Sequence, residues 1–129
     1  MKDKIQLKRI DGSVIFEYED EDNSVKKTLE TYFKRERGTG IGNLIGIDLQ
    51  NADLNGIDLR YANLTYSDLR NANLKGAYLK GANLKCTLLN NADLNGANLS
   101  LVDFFNANLE GANLEGANLE EAYLEGANL

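Results

Sequence analysis

The sequence predicts an all-β solenoid over residues 41–129, preceded by a small separate segment over residues 1–40. Three observations predict the solenoid. Leucine recurs at every fifth residue from Leu49 to Leu129, and among these seventeen stations Phe104 is the one exception. Two residues before each station lies a small or β-branched residue, which is alanine in twelve cases. The second residue after a station is most often Gly or Asn.

A five-residue period excludes a straight strand and a straight helix. In a strand, residues five apart point to opposite faces, and in an α-helix they drift around the cylinder. A backbone that keeps every leucine inside must therefore turn once per pentapeptide. The turn is expected at the second residue after each leucine, because Gly and Asn adopt tight-turn dihedral angles at the lowest cost.

These residues resemble the A-(D/N)-L-x-x motif of the pentapeptide-repeat family, and the resemblance covers about two thirds of the chain. It implies a right-handed quadrilateral β-helix, with four pentapeptides and twenty residues in each coil. The chain then forms a little over four coils. Leucine fills the centre of each coil, and alanine keeps the narrow square from being overpacked.

The first forty residues do not follow this period. Alternating apolar residues predict two short strands around an Asp11-Gly12 turn. Asn23 or Ser24 is suited to cap a following helix that runs to about Arg37 and stops at Gly38. A hairpin and one helix are too small to fold alone, so we expect them to cap the first coil. A separate partner-binding module is the alternative.

A glycine-rich stretch, Gly38-Thr39-Gly40-Ile41-Gly42, follows the predicted helix. It lacks the dinucleotide-binding spacing and the Lys-Ser/Thr pair of a phosphate-binding loop, and it leads into β-helix instead of an α-helix. We therefore interpret it as a connecting loop and predict no cofactor.

The position after each leucine points outward, and its residues form bands if residues twenty apart are stacked. The first coil is mixed, the second is cationic, the third is neutral and the fourth is anionic. The cationic ring consists of Arg70, Lys75, Lys80 and Lys85, and the anionic ring consists of Glu110, Glu115, Glu120 and Glu125. The glutamates favour solubility and oppose end-to-end stacking, because like charges would meet. The alternative is that one ring selects the opposite ring of a partner.

Three outward apolar residues, Leu101, Phe105 and Tyr123, are predicted to lie on adjacent corners and faces of the later coils. Together with the anionic ring they form the candidate partner-binding surface. The interpretation is a non-enzymatic structural or interaction scaffold that binds an unknown protein. Pairing of two copies through the edge of the C-terminal coil is a further hypothesis, which the glutamate ring opposes.

The resemblance implies an alternative function, in which the column mimics DNA and modulates a type II topoisomerase such as gyrase. Residues 41–129 carry five Lys or Arg against eleven Asp or Glu, which accounts for the net charge of −6. B-DNA carries about one charge per 1.7 Å, roughly twice this density. The cationic ring also interrupts the acidity, so this chain departs from the uniformly anionic column that such mimicry requires.

Catalytic chemistry has little support in the sequence. There is no His, and the single Cys86 falls on an outward corner without a second cysteine. Asp48 and Asp68 are expected to stack about 5 Å apart, but aspartates on a solenoid are usually exposed and solvated. We therefore predict no catalytic residue and no metal site.

The composition also bears on location and partners. No apolar run is long enough for a signal peptide or a membrane span, and one cysteine excludes an intrachain disulfide. The prediction is a cytoplasmic protein that binds neither membranes nor nucleic acid directly.

Overall fold

The computed structural model describes residues 2–36 and 42–129. The chain begins with an antiparallel hairpin, in which β1 (Asp3–Lys8) pairs with β2 (Val14–Asp20) and the register shifts between Leu7 and Lys8. Gly12 supplies the turn with a φ of +86°. The predicted hairpin and its Asp-Gly turn are confirmed.

Helix α1 (Val25–Glu36) follows the hairpin. Ser24 caps it, since its Oγ accepts a hydrogen bond from the Lys27 N–H at 3.0 Å. Asn23, the other predicted cap, instead ties the helix start to the hairpin by donating from Nδ2 to the Tyr18 carbonyl at 2.7 Å. The predicted helix end at Arg37 and Gly38, and most of the connecting loop, lie outside the described residues.

The rest of the chain forms the predicted right-handed quadrilateral β-helix. Parallel bridges join residues twenty apart, from Asn43 with Asn63 up to Asn108 with Asn128. Backbone hydrogen bonds run up the column between coils, such as Leu54 N–H to the Asn73 carbonyl at 2.8 Å. Because each coil is bonded to its neighbours, the backbone forms a continuous ladder on all four sides.

Each corner is a four-residue β-turn. At the first of these, the Ala52 N–H donates to the Leu49 carbonyl at 3.1 Å, and Asn51 has a φ of +60°. A positive φ at the third residue is the mark of a type II turn and normally requires Gly or Asn. The predicted corner is confirmed, and its positive φ persists even where the residue is neither Gly nor Asn. These residues are Tyr61, Tyr66, Cys86, Leu101 and Glu121.

In most repeats the residue before the leucine is Asp or Asn, and its side chain stabilises the corner that follows. Its Oδ1 accepts the backbone N–H two residues later, as Asp93 does from Asn95 at 3.1 Å and Asn118 does from Glu120 at 2.9 Å. Side-chain oxygens of Asp and Asn commonly bond the backbone two residues on in this way. The A-(D/N)-L-x-x motif contains this preference for Asp or Asn, and the structure gives its cause.

The core is a stack of leucines and alanines, and Phe104 replaces leucine without any exposure to solvent. The hairpin-helix unit covers the first coil, as predicted. Arg9 pairs with Ile47, and the Ile10 N–H donates to the Gly46 carbonyl at 2.8 Å. Leu29 and Tyr32 of α1 are buried in the same apolar cluster as Leu44. Whether residues 1–40 and 41–129 are distinct folding units stays a prediction.

Candidate interaction surface

The two charged rings lie at the four corners of the column, two coils apart. With neighbouring coils at strand spacing, this separation is roughly 10 Å along the axis. All four ring glutamates are exposed. The residues between the two rings belong to the third coil, and one of them, Ser100, is only 8% exposed. Its hydroxyl donates to Asn98 Oδ1 at 2.7 Å. The expectation that the residue after each leucine points outward is therefore wrong for Ser100.

The cationic ring is partly neutralised by aspartates. Lys75 reaches Asp93 at 3.5 Å, and Lys85 reaches Asp103 at 3.2 Å, in each case in the next coil. Among the described residues, no ion pair involves a glutamate of the anionic ring. The negative charge of the fourth coil is therefore the more available of the two.

Phe105 and Tyr123 form an aromatic stack at one corner, with ring centroids 6.3 Å apart and an interplanar angle of 21°. The Tyr123 hydroxyl donates to the Glu125 carboxylate, and this contact raises the pKa of Tyr123. Tyr123 is exposed and Phe105 is half-buried. We call the stacked residues Lys85, Phe105 and Glu125, with Tyr123 beside them, the aromatic corner.

Leu101 lies on the neighbouring corner, where it is 46% exposed and lines a shallow depression. Its companions there are Lys80, Ser100, Glu120 and Glu121. The structure thus brings Phe105 and Tyr123 into contact, and it places Leu101 on the adjacent column of corner residues.

Asp48 and Asp68 are paired in register, as the twenty-residue coil predicts. The expectation that both are exposed is wrong for Asp68, which is only 2% exposed. Arg70 folds back over its carboxylate with Nη2 at 2.6 Å and Nε at 2.9 Å, and this hydrogen bond raises the pKa of Arg70. Leu88 occupies the position in register above Asp68. The carboxylate is therefore held in an ion pair.

A second apolar patch was missed by the sequence reasoning. Ile10, Ile45 and Tyr66 are all exposed and line one surface depression with Arg9 and Asp11. These residues come from the hairpin turn and from two different coils. Ile45 and Tyr66 are adjacent because neighbouring coils stack, and the docking of the hairpin against Gly46 adds Ile10 to them. No local sequence pattern predicts that docking.

The single cysteine, any metal-binding group of side chains and any membrane-spanning helix are further features that could serve a function. Cys86 is a half-buried free thiol with a φ of +55°, at the corner position expected for it. Within residues 2–36 and 42–129, no three Cys, Asp or Glu side chains group closely enough to hold a metal ion. No helix in the same ranges has the length and apolar character needed to cross a membrane.

The square coils, the twenty-residue register and the corner chemistry define a pentapeptide-repeat solenoid. The family profile described as pentapeptide repeats matches the sequence in eight copies, over residues 43–76, 72–111 and 103–129. The chain belongs to the pentapeptide-repeat family.

Several solved structures are similar to this chain. A pentapeptide repeat protein from the Arabidopsis thaliana thylakoid lumen is 33% identical, with a TM-score of 0.64 over 67% of this chain and 60% of that one. HetL from the cyanobacterium Nostoc, which is involved in the regulation of heterocyst differentiation, is 40% identical, with a TM-score of 0.65 over 66% of this chain and 39% of HetL. A pentapeptide repeat protein from the cyanobacterium Cyanothece is 41% identical, with a TM-score of 0.62 over 63% and 55%.

The matched region thus spans between 39% and 60% of the length of those three structures. No curated protein sequence matches the chain. QnrB1, a plasmid-mediated fluoroquinolone resistance protein, aligns with 18% identity and a TM-score of 0.22, which is too little similarity to support an inference about function.

Proposed function

We propose that this protein is a non-enzymatic scaffold that presents its β-helix surface to a protein partner. The observation that carries the proposal is the Phe105–Tyr123 stack on the outside of the column. Neither aromatic residue is needed by the repeat, whose outward positions are mostly small, polar or charged. Aromatic residues on a surface are typical anchors of protein interfaces.

The surroundings of the stack suit a protein contact. Its backbone is held by hydrogen bonds from Phe104 N–H to the Tyr123 carbonyl at 2.8 Å and from Cys86 N–H to the Phe105 carbonyl at 2.9 Å. A rigid platform loses little conformational freedom when a partner binds. Lys85 below and Glu125 above the stack provide charges of opposite sign, which orient a partner more than they add affinity.

A capture experiment with a matched control tests the proposal. Phe105→Glu places a charge at the centre of the aromatic corner, and Asn95→Glu places the same charge in the same coil on another corner. Tagged protein would be incubated with lysate, and bound proteins would be identified by mass spectrometry. We expect Phe105→Glu to weaken capture of the specific partner at least about tenfold, as at interface hot spots, and Asn95→Glu to retain it.

Equal capture by both variants and the native chain would place the contact elsewhere. In that case the patch of Ile10, Ile45 and Tyr66 becomes the next surface to test, because these three side chains are also exposed and adjacent. The predicted cytoplasmic location of the protein stays a prediction.

The anionic ring, whose glutamates form no ion pair among the described residues, favours one second candidate, a DNA mimic that modulates gyrase. A supercoiling assay with purified gyrase tests it directly. The mimic hypothesis expects inhibition or protection by the native chain, and loss of that effect when the four ring glutamates become glutamines. Absence of any effect at all protein-to-enzyme ratios would eliminate this candidate and leave the scaffold proposal untouched.

A further inference from the structure

We infer that the aromatic corner accepts a second copy of this chain, lying side by side and antiparallel, with the two-fold axis passing beside Phe105. This inference rests on the proposed function, because it takes the corner to be a protein-contact surface. The inference specifies the partner, a second copy, and its orientation. The proposed contact lies on the side of the column and not at the edge of the C-terminal coil.

The order of residues up the corner carries the inference. Lys85, Phe105 and Glu125 are twenty residues apart and stack at one corner, so each charge lies roughly 5 Å along the axis from the aromatic residue. A two-fold axis perpendicular to the column reverses this order in the second copy. Lys85 of each copy then meets Glu125 of the other copy. Two-fold interfaces require such a self-complementary surface.

Other orientations of two copies are opposed by the same charges. In a parallel pair, lysine meets lysine and glutamate meets glutamate, which is unfavourable. In an antiparallel pair displaced by one coil, Lys85 faces Phe105 and Glu125 faces Thr65, so no charge finds an opposite charge. The ladder therefore selects one orientation and one register.

All four corners show the order of cation, neutral residue and anion, but their middle residues differ. At the other three corners the middle residue is Asn90, Asn95 or Ser100. Only the aromatic corner places a large apolar side chain there, and Tyr123 widens it to two stacked rings. Because burial of apolar area supplies the driving force of most association, this corner is the one favoured for contact.

The charged side chains are already positioned for the pair. Lys85 is held by Asp103 at 3.2 Å, and its ammonium has three donors, so it can bond a second carboxylate at the same time. The Glu125 carboxylate accepts the Tyr123 hydroxyl and keeps its second oxygen for another donor. Both side chains thus lose less freedom on binding than unrestrained ones.

Contact between two corners is narrow, so the association should be weak. The three coils from Lys85 to Glu125 span roughly 10 Å of column height, well below the extent of a standard interface. We expect a dissociation constant weaker than about 1 μM and a marked weakening with salt. Sedimentation velocity over a concentration series at low and high salt measures both.

Charge reversal tests the orientation. Lys85→Glu and Glu125→Lys should each weaken dimerisation at least about tenfold, because each places like charges together. The double variant Lys85→Glu/Glu125→Lys should restore it, and so should an equimolar mixture of the two single variants. Circular dichroism spectra and melting curves would verify that each variant is folded.

The matched control lies on another corner. Lys75→Glu and Glu115→Lys change the same charges in the same coils, and Lys75 also bonds an aspartate of the next coil, Asp93 at 3.5 Å. Asn95 lies between them in place of Phe105. These control variants should dimerise like the native chain.

Zero-length carbodiimide cross-linking gives a direct readout. In a mixture of ¹⁴N- and ¹⁵N-labelled protein, mixed-isotope Lys85–Glu125 peptides identify links between copies. A Lys85–Asp103 link within one copy serves as an internal positive control. The inference would be overturned if the protein is a monomer at all concentrations, or if its dimerisation is unaffected by the charge reversals at Lys85 and Glu125. Phe105-dependent capture of another protein would then still support the proposed function. A dimer that responds to the charge reversals, together with unchanged lysate capture by Phe105→Glu, would instead support the inference and place the scaffold contact on another surface.

Discussion

The aromatic ring of Tyr61 occupies the space into which a β-carbon on Gly81, one coil later, would project. A β-carbon on Gly81 would come within 2.5 Å of two ring carbons, Cδ1 and Cε1. Tyr61 itself occupies a corner with a φ of +61°, and Gly81 occupies the same corner one coil later with a φ of +69°. The glycine therefore serves two purposes: it adopts the turn conformation without strain, and it leaves room for the ring.

Replacement of Gly81 by alanine should cost more than replacement of Gly56. Gly56 has nearly the same φ, +68°, but has nothing within 4 Å of its added β-carbon. Gly56→Ala should therefore show backbone strain alone, about 1–2 kcal/mol of unfolding free energy. Gly81→Ala should lose about 0.5–1.5 kcal/mol more, because the half-exposed ring of Tyr61 must leave its preferred rotamer. Chemical denaturation monitored by circular dichroism measures the difference.

A double variant separates the two causes. Tyr61→Ala removes the ring, so in that background Gly81→Ala should cost no more than Gly56→Ala does in the native chain. If the extra cost of Gly81→Ala persists without the ring, the close approach seen in the structure is not its cause.

The ion pair of Arg70 with Asp68 should matter more than its counterpart of Arg60 with Asp58. Both arginines bond the preceding outward aspartate, at 2.6 and 2.7 Å, but the side chain of Asp68 is 3% exposed and that of Asp58 is 53% exposed. Arg70→Met keeps an apolar stem of similar length to cover Asp68 but removes the partner charge, so it leaves a shielded carboxylate unpaired, which is far costlier than leaving one in water. We expect a clear drop in melting temperature for Arg70→Met and little change for Arg60→Met.

Removal of the buried charge as well should recover stability. The double variant Asp68→Asn/Arg70→Met keeps an Oδ1 that accepts the Arg70-position backbone N–H, as the asparagines of other coils do. It should therefore melt above Arg70→Met alone. An equal or lower melting temperature would mean that packing by the arginine stem, and not the buried charge, is responsible.

Asp68 also shows where sequence reasoning stopped. The leucine and alanine periodicity predicted the inward residues and the corners, because those depend only on neighbours within one pentapeptide. The burial of Asp68 depends on Arg70 folding back and on Leu88 lying in register twenty residues later. The patch of Ile10, Ile45 and Tyr66 likewise depends on where the hairpin docks. Side-chain contacts between coils and between segments depend on the folded structure, so a local sequence pattern does not predict them.

The hairpin and α1 are joined by an ion pair whose titration can be followed. Asp20 accepts hydrogen bonds from Lys27 Nζ at 2.7 Å, from the Glu21 N–H at 2.7 Å and from the Tyr18 hydroxyl at 3.2 Å. These contacts, with Lys27 as the largest cause, lower the pKa of Asp20 from its usual 3.8. A carboxylate whose folded pKa is lowered stabilises the fold above its unfolded pKa, and this contribution is lost as the pH falls through the folded pKa.

NMR titration of the Asp20 carboxyl carbon should therefore give a midpoint below 3.8. Lys27→Met should raise that midpoint towards the usual value, although the Glu21 and Tyr18 contacts keep part of the shift. Lys26→Met removes the same charge one residue away and should leave the midpoint unchanged. Equal shifts in both variants would point to general charge reduction instead of the specific contact.

Ser67 offers a stabilising substitution. It occupies the inward position that is alanine in twelve of the seventeen repeats, and its buried Oγ has no hydrogen-bond partner among the described residues. Thr87, directly above it in the same column, satisfies its hydroxyl by donating to the Leu64 carbonyl at 3.0 Å. An unsatisfied buried hydroxyl costs about 1–3 kcal/mol, so Ser67→Ala should raise the unfolding free energy by about 1 kcal/mol. Thr87→Ala, which loses a hydrogen bond and a methyl group, should lower the unfolding free energy. If Ser67→Ala instead lowers the melting temperature, the hydroxyl has a partner in solution, such as a buried water.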